Sequence, residues 1–401
     1  MKIYKAYKIE LAPNKTTVKL LNKATGTARF AYNWALEQRI ALYNTEKKHT
    51  TAFTQHKNLC DIKKEQFPWM LDVSKCIPQF AIHDVGYAFK RFFAGLKTSS
   101  NVGFPKFKKK SNYDSFRLEQ HIYIHNDKIQ LPRLGTIKLK ENREVSGKIL
   151  FATVSKDIDR WFVSVTTEQE IPEVKIQNGE LIGVDLGLTT FATFSDGCKI
   201  ENPKILKKYL KKIKILQRRL SKKQNYSKNR IKTRAKLAKV HRKIRNKRKD
   251  FLHKITTSLA KTKQEIVVET LDVLQMIKNR KFSKEISDVS WGEFVRQLEY
   301  KTKWYGSLLV KADKFYPSSK TCSNCGFKLE KLNISVREWS CPVCNTKHDR
   351  DINAAKNLAA LSKSVPSDRR EIKPVENPLS GAERPVLRYD SMKQELSLNK
   401  H

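Results

Sequence analysis

The sequence predicts an α/β core in the C-terminal half of the chain, preceded by a strand-rich region that encloses a block of helices. Two apolar runs in the C-terminal half each end in a single carboxylate, and a later helical pattern begins with a third. In the preceding region, short strand patterns are separated by turn residues. We therefore expect a core whose elements carry acidic side chains out to one site.

The N-terminal region combines strand and helix periodicities. Residues 2–11 alternate polar and apolar side chains and predict one strand. Apolar residues then recur at three- and four-residue steps over 18–43 and again over 78–96, which predicts two helices. From 115 to 170 several short strand patterns follow one another. Strands at this spacing suggest a small barrel, which the first strand would complete with the helices inserted.

Three acidic residues mark the predicted core. Asp185 lies between two glycines at the end of an apolar run, Glu269 ends a second apolar run, and Asp351 opens a helical run. One acid at a strand end is ordinarily a solvated cap or turn residue, but three on successive elements of so basic a chain favour a shared site. Carboxylates in a shared site repel one another unless cations neutralise them, so the pattern indicates bound metal.

The remaining core elements follow from the same periodicities. After the first acid, two further strands are expected around a hairpin turn at Asp196 and Gly197. An apolar helix is expected at 251–259, and a helix at 290–305 is followed by a strand at 307–313.

The composition indicates a polyanionic partner. The 401 residues include 81 Lys and Arg against 40 Asp and Glu, which gives a formal net charge of +41. Such an excess weakens the compact state by self-repulsion, and an enzyme of small metabolites does not need it. Nucleic acid is the expected partner, and an anionic membrane is the alternative. No apolar run approaches the length of a membrane span and no signal-peptide pattern follows Met1, so we expect a cytoplasmic protein.

Basic residues concentrate in a long helical stretch between Glu201 and Asp250, which contains no acidic residue. Its apolar positions keep a helical period, and residues 225–227 predict the turn between two antiparallel helices. Runs of like charge are normally disordered, but the apolar stripe predicts helices that dock on the protein and turn their basic faces to phosphates. The candidate contacts here are Arg218, Arg219, Arg242 and Arg245.

A second basic segment, residues 103–110, interleaves cations with aromatic rings. This composition suits nucleic acid, because cations meet phosphates and rings stack on bases. A solvated charge run would have the same composition, so the segment alone leaves both interpretations open. Lys106 and Lys108 are its candidate contacts.

Four of the seven cysteines form two Cys-x2-Cys pairs with fifteen residues between them, a zinc-ribbon spacing. Each pair presents two thiolates to one side of a tetrahedral ion, and four thiolates leave no open position, which favours a structural zinc. The odd cysteine count also favours metal over disulfides. His348 is an alternative ligand. The predicted zinc ligands are Cys322, Cys325, Cys341 and Cys344.

The acids and the cysteines together resemble a known family. Asp, Glu and Asp on strand, strand and helix resemble a RuvC-type, RNase H-like nuclease core. The run from Tyr316 through both cysteine pairs to Ala355 is similar to the TnpB family, insertion-sequence proteins related to the type V CRISPR effector nucleases. The resemblance covers roughly residues 1–362 and is most specific from Gly183 onward.

The resemblance also distinguishes between two neighbouring acids. Asp349 lies where a helix N-cap would, and its carboxylate could accept from backbone N–H groups. The family's catalytic acid precedes x-Asn-Ala-Ala, which implies Asp351 as the third catalytic residue.

The implied activity is RNA-guided DNA cleavage by a mobile-element protein. Asp185, Glu269 and Asp351 would hold two Mg²⁺ ions, one activating a water and the other stabilising the leaving 3′ oxygen. The implied partners are a guide RNA from the mobile element and double-stranded target DNA with a short flanking motif. The barrel and its helices would grip the guide and read that motif. The resemblance also favours nucleic-acid contact by residues 103–110 and implies a prokaryotic, nucleoid-associated protein.

The predicted fold is therefore an α/β RuvC-like, RNase H-like nuclease core with a basic helical insertion and a zinc ribbon, plus an N-terminal β-barrel with an inserted helical domain. The predicted domains are the barrel (1–12 and 113–175), the helical recognition domain (13–112), the nuclease domain (176–315 and 346–362), the zinc-ribbon insertion (316–345) and a disordered tail (363–401).

Three other functions share part of this pattern. A nuclease-inactive, RNA-guided repressor of the same lineage would lack one or more of the three acids, and all three are present here. A transposase that joins strands could also use three carboxylates and two metals, although a zinc ribbon just before the third acid favours the guided nuclease. A guide-free junction resolvase normally has a smaller and less basic chain.

Overall fold

The chain folds into two units, Met1–Ile171 and a second that begins at Pro172. The tail predicted from residue 363 lies, beyond Ser364, outside the described residues. The computed structural model describes residues 1–98, 102–111, 113–172, 179–333 and 335–364.

The first unit contains an antiparallel sheet of seven strands in the order β2-β6-β7-β1-β5-β4-β3. Its helices are α1 (Lys15–Glu46), α2 (Ala52–Gln66) and α3 (Cys76–Lys97). Its strands are β1 (Lys2–Ala12), β2 (Ser115–Glu119), β3 (Tyr123–His125), β4 (Lys128–Leu131), β5 (Gly135–Leu139), β6 (Lys148–Asp157) and β7 (Arg160–Glu170). The strand alternation predicted these strands, except for the short β3; helix α2 was also not predicted.

This sheet is open, and the predicted barrel is wrong. Strands β2 and β3 form its two edges, and within the described residues they do not pair. Helices α1 and α3 contribute Leu21 and Ile82 to the hydrophobic core that also holds Leu118 and Val163 of the sheet. Because helices supply the second layer of this core, the sheet buries its apolar face without closing on itself. Alternation in the sequence shows which face is apolar but not what covers it.

The second unit contains a five-stranded mixed sheet in the order β10-β9-β8-β11-β12. Strands β8, β9 and β10 are antiparallel neighbours, whereas β11 is parallel to both β8 and β12. Three adjacent strands with Asp185 on the first are the predicted opening of an RNase H-like sheet. The strands are β8 (Glu180–Leu186), β9 (Thr190–Phe194), β10 (Lys199–Glu201), β11 (Lys263–Val268) and β12 (Leu308–Lys311).

Six helices and a short hairpin complete the described part of this unit. The helices are α4 (Ile205–Ser221), α5 (Lys228–Thr262), α6 (Val273–Lys278), α7 (Ser283–Val289), α8 (Trp291–Tyr305) and α9 (Arg350–Ser364), and the hairpin strands are β13 (Glu338–Ser340) and β14 (Lys347–Asp349). The turn between α4 and α5 contains the predicted residues 225–227, but the helix expected at 251–259 is the continuous end of α5. Within the described residues, no helix has the length and apolar character needed to cross a membrane.

Helices cover both faces of the five-stranded sheet. On one face, Val184 and Ile266 share a core with Phe294 of α8. On the other face, Val267 packs with Leu358 of α9. Strands buried on both faces are continuous apolar runs, which explains why the sequence around the first two acids is so uniformly apolar.

Candidate active site and metal centre

The first two acids leave neighbouring strands at the same end of the sheet. Strands β8 and β11 are parallel and align Val184 with Val268, so Asp185 and Glu269 are the next residues on each chain segment. The backbone N–H of Leu186 donates to Glu269 Oε1 at 3.2 Å. The parallel register therefore brings together two carboxylates that are far apart in sequence.

Helix α9 brings the third acid to the same place. A Cβ atom on Gly183 would lie 2.0 Å from the Ala355 carbonyl oxygen and 2.6 Å from the Ala359 nitrogen, so the helix backbone rests directly on β8. Asp351 precedes Ala355 by about one helical turn. The close contact of α9 with β8 thus positions Asp351 near Asp185.

The negative charges of Glu269 and Asp351 act on Asp185. Burial raises the pKa of Asp185 well above its usual value, and the negative charges of Glu269 and Asp351 raise it further, while Arg350 and Arg337 oppose the shift. Burial raises the pKa of Glu269 to about 7 against the hydrogen bond from Leu186. Asp185 therefore lies within the electrostatic influence of both other acids.

Asp349 has a different role from Asp351. Its Oδ1 accepts from the backbone N–H groups of Asp351 and Ile352, both at 3.0 Å, and its Oδ2 accepts from Lys199 at 2.7 Å. Burial alone would raise the pKa of Asp349, but these hydrogen bonds hold it below its usual value. Asp349 therefore caps α9, which leaves the Asp351 carboxylate for the site.

Arg337 is a site residue that the sequence analysis missed. It precedes the β13 hairpin, and its Nη1 lies 3.4 Å from Asp351 Oδ1. The backbone N–H of Arg350 donates to the Arg337 carbonyl at 2.8 Å. Nothing in the local sequence indicates this contact, since Asp351 lies fourteen positions after Arg337.

The donor set suits hard divalent cations, although the carboxylates are more widely spaced than the cysteine thiols. Among the described residues, the four cysteines form the group whose potential ligand atoms all lie within 4.8 Å of one another. Carboxylates offer the oxygen ligands that Mg²⁺ prefers, and a bound cation would offset the repulsion that Glu269 and Asp351 exert on Asp185. Asp185, Glu269 and Asp351 therefore fit a magnesium site by their chemistry.

The thiol groups of the four cysteines lie close enough together to bind one tetrahedral metal ion. The Sγ atoms of Cys322 and Cys344 are 3.6 Å apart, as are those of Cys325 and Cys341. Four sulfurs each about 2.3 Å from a zinc ion are separated by about 3.8 Å, so these distances fit a Cys₄ zinc site.

Each cysteine pair forms the same backbone turn. Gly326 N donates to the Cys322 carbonyl at 2.9 Å, and Asn345 N donates to the Cys341 carbonyl at 2.9 Å. Gly326 and Asn345, which follow the second cysteine of each pair, have φ values of 78° and 55°. Glycine and asparagine are the residues that adopt this left-handed conformation most readily.

His348 lies beside the cluster and outside its four ligands. Its Nε2 is 3.0 Å from Cys322 Sγ, and its ring packs 4.8 Å from the Trp339 ring. Because the four cysteines already supply four thiols, His348 contacts one of the candidate zinc ligands, Cys322, and does not take its place.

Two buried asparagines tie the first cysteine turn to α9. Asn353 Nδ2 donates to the Thr321 carbonyl at 2.7 Å, and its Oδ1 accepts from Ser323 N at 2.9 Å. One turn later, Asn357 Nδ2 donates to the same carbonyl at 2.6 Å. The helix that carries Asp351 is thereby fixed to the cysteine cluster. Their four-residue spacing is a signal that the sequence analysis did not use.

The candidate nucleic-acid contacts differ in exposure. Lys106 is exposed, and Lys108 places its Nζ 3.9 Å from the centre of the Tyr32 ring while its backbone N–H donates to Asn33 Oδ1 at 2.8 Å. On the α4–α5 hairpin, Arg242 is only 9% exposed. Its guanidinium is therefore poorly placed for a phosphate. The exposed arginines of the hairpin candidates are Arg218, Arg219 and Arg245.

Three family models match this chain. Residues 162–280 match a model described as “Probable transposase”, and residues 291–358 match one described as “Cas12f1-like, TNB domain”. Residues 1–48 match a “Helix-turn-helix domain”. The structure of this last segment is strand β1 followed by helix α1.

Curated relatives match the chain over nearly their whole length. A protein of Streptomyces pristinaespiralis named “Putative RNA-guided DNA endonuclease” is 35% identical over 365 residues, 89% of this chain and 89% of its own. The Escherichia coli (strain K12) protein “Putative RNA-guided DNA endonuclease InsQ” is 30% identical over 91% of this chain and 94% of its own. Among solved structures, the protein of a Cas12f1–sgRNA–target DNA complex is 17% identical over 89% of this chain and 99% of its own. Its TM-score of 0.35 is too low to establish a common fold.

Proposed function

The chain belongs to the TnpB family, and we propose that it is an RNA-guided DNA endonuclease that hydrolyses phosphodiesters at Asp185, Glu269 and Asp351. The single observation that carries this proposal is the parallel register of β8 and β11, which makes Asp185 and Glu269 neighbours, together with the packing of helix α9, which contains Asp351, against β8. Glu269 accepts from the residue after Asp185, and Gly183 admits the helix that carries Asp351. Relatives named as RNA-guided DNA endonucleases support the reaction and the substrate.

The three acids would hold magnesium on rigid elements. When bound, two such ions supply an activated water and stabilise the leaving oxygen. The Leu186 N–H orients the Glu269 carboxylate, and Asp349 fixes the first turn of α9 so that Asp351 keeps its direction. Preorganised groups of this kind cost no rearrangement during the reaction.

The Cys₄ cluster would hold one structural zinc ion. All four positions of a tetrahedral ion are taken by thiolates, so this metal would not take part in hydrolysis. Its contribution is to fold the segment that Asn353 and Asn357 bind to α9. The metal centre would thus stabilise the helix of the third acid.

Guide RNA and target DNA are the proposed partners of the basic surfaces. Arg218, Arg219 and Arg245 are among the exposed cations of the α4–α5 hairpin, whose sequence contains no acidic residue between Glu201 and Asp250 and so presents a strongly basic face. Such a face binds phosphates through electrostatics that depend on salt but not on sequence. Base pairing with a guide would then supply the sequence specificity.

The proposal is tested with the protein expressed beside its native locus. We expect RNA to copurify, and we expect the complex with Mg²⁺ to cut a plasmid that carries a matching target next to a randomised flank. A plasmid with a scrambled target is the control and should stay intact. Equal cutting of both plasmids, or cutting after RNA removal, would contradict guided cleavage.

A further inference from the structure

The tip of the α4–α5 hairpin carries a tyrosine, Tyr226, that no described residue covers. The hairpin has its own small core, in which Ile213 and Leu216 pack with Val240 and Ile244. None of the residues from 217 to 232, all of them described, is buried. Tyr226 is 97% exposed, more than any other large apolar side chain in the described residues.

The turn that carries Tyr226 is ordered by its own hydrogen bonds. Arg230 Nη1 donates to the carbonyls of Leu220 and Lys223 at 2.7 and 2.9 Å. The Ser227 hydroxyl accepts from Arg230 N at 3.1 Å and caps α5. The tyrosine is therefore presented from a fixed support.

The backbone of Tyr226 does not favour tyrosine. Its φ of 64° lies in the left-handed region, which glycine adopts freely and which costs other residues free energy. Because the Tyr226 ring is almost fully exposed among the described residues, stability of the turn gives no reason for an aromatic residue at this position. A ligand for the ring gives one.

The surroundings of the ring identify the ligand. Exposed cations lie on both sides of it in the chain, and no acidic residue occurs between Glu201 and Asp250. An apolar protein partner would have to desolvate these charges, whereas a nucleic-acid strand offers a phosphate to each cation and a base to the ring. The neighbouring exposed cations are Lys222, Lys228 and Lys232.

We propose that Tyr226 is a stacking platform for an unpaired nucleobase, with Lys222 and Lys228 binding the adjacent phosphates. Unpaired bases offer a free π-face, whereas bases inside a duplex are already stacked. The inference uses the proposed function only for the class of partner, since stacking does not depend on guided cleavage.

The test measures affinity of the full chain, freed of copurified nucleic acid, by fluorescence anisotropy at fixed salt. The probes are a 20-nucleotide RNA, the same sequence as single-stranded DNA, and a blunt DNA duplex. The variants are Tyr226→Ala, Tyr226→Phe and Tyr226→Gly. Phe282→Ala, which removes a 42% exposed aromatic ring outside the hairpin, is the control.

We expect Tyr226→Ala to weaken binding of at least one single-stranded probe by about 5- to 150-fold, the range of base–aromatic stacking, with an unchanged salt slope. The RNA and DNA arms identify which strand the ring contacts. Tyr226→Phe keeps the ring and should bind within about threefold of wild type. Binding of the duplex by Tyr226→Ala, and binding of every probe by the Phe282→Ala control, should change little.

Tyr226→Gly separates stacking from a structural role. Glycine relieves the left-handed backbone, so the thermal midpoint should hold or rise while single-strand affinity falls as in Tyr226→Ala. Wild-type affinity in both variants, or an equal loss with the blunt duplex, would overturn the proposal. That failure would leave guided cleavage, which is scored separately on plasmids, untouched.

Discussion

Gly183 is the residue at which helix α9 meets strand β8. A side chain there would need the space of the Ala355 carbonyl, so any larger residue must push the helix away from the sheet. Because Asp351 lies one turn along that helix, a displacement at Gly183 is transmitted to the third acid. A residue without a functional group therefore sets the geometry of the site.

We predict that Gly183→Ala lowers the free energy of unfolding by about 1–3 kcal/mol and strongly reduces cleavage, although every acid is retained. Thermal unfolding and plasmid cleavage measure the two effects. Gly292→Ala is the control, because a Cβ there meets nothing within 4 Å. Normal cleavage by Gly183→Ala would mean that close contact of α9 with β8 is not needed.

Glu269 makes metal-free stability depend on pH. Its pKa of about 7 in the folded protein lies above the 4.5 of a solvent-exposed glutamate, so the folded state binds more protons than the unfolded state between these pH values. Its contribution to stability is therefore fully present below about pH 4.5 and is lost as the pH rises through 7. Across this pH range the free energy of unfolding falls by about 3 kcal/mol.

We predict that Glu269→Gln, which cannot ionise, is more stable than wild type at pH 8 in chelator but not at pH 5. Mg²⁺ should stabilise wild type more at pH 8 than at pH 5, since protons compete with the cation. Thermal midpoints across this range measure both effects, with Asp196→Asn in an exposed turn as the control. Parallel pH profiles for Glu269→Gln and wild type would contradict the raised pKa.

At the scale of elements, hydrogen bonds join the cysteine segment to helix α9. Asn353 is 1% exposed and satisfies both Thr321 and Ser323, so the helix and the first cysteine turn share buried hydrogen bonds. Such bonds are costly to leave unmade. Metal binding at the cysteines is thereby linked to the position of Asp351.

We predict that chelating zinc, or replacing Cys322 with Ser, lowers the thermal midpoint and reduces cleavage, because a structural zinc contributes folding free energy. Asn353→Ala should cost about 1–3 kcal/mol and reduce the further effect of the chelator, since the two sites are coupled. Cys198→Ser, which changes an exposed cysteine outside the cluster, is the control. A midpoint that does not respond to chelator would contradict a structural zinc.

At the scale of the whole molecule, local sequence patterns predicted most of the longer strands and helices but not the contacts between them. Apolar runs that end in acids identified β8 and β11, because strands buried on both faces have few polar positions. The Cys-x2-Cys turns could also be predicted, since each turn is formed by residues that are close together in the sequence. The sequence pattern of the strands did not predict that the first sheet stays open, because whether a sheet closes into a barrel depends on the helices that cover it.

The missed site residues act across long sequence separations. Arg337 reaches Asp351 only because the β13 hairpin folds back on α9, and Gly183 matters only once that helix is in place. In the sequence, Arg242 cannot be distinguished from the exposed basic residues around it. In the structure it lies on the buried side of helix α5. Positive charge was evident from composition, whereas its distribution over the surface required the fold.

The most direct test of the acidic site is cleavage by complexes that carry Asp185→Ala, Glu269→Gln or Asp351→Ala. Each change should reduce plasmid cleavage by more than the roughly 10–100-fold that loss of an outer partner costs, while target binding stays near wild type. Asp196→Asn, an exposed acid in the same sheet's hairpin turn, should cleave normally. Wild-type cleavage by any one of the three variants would show that these carboxylates do not form the catalytic site.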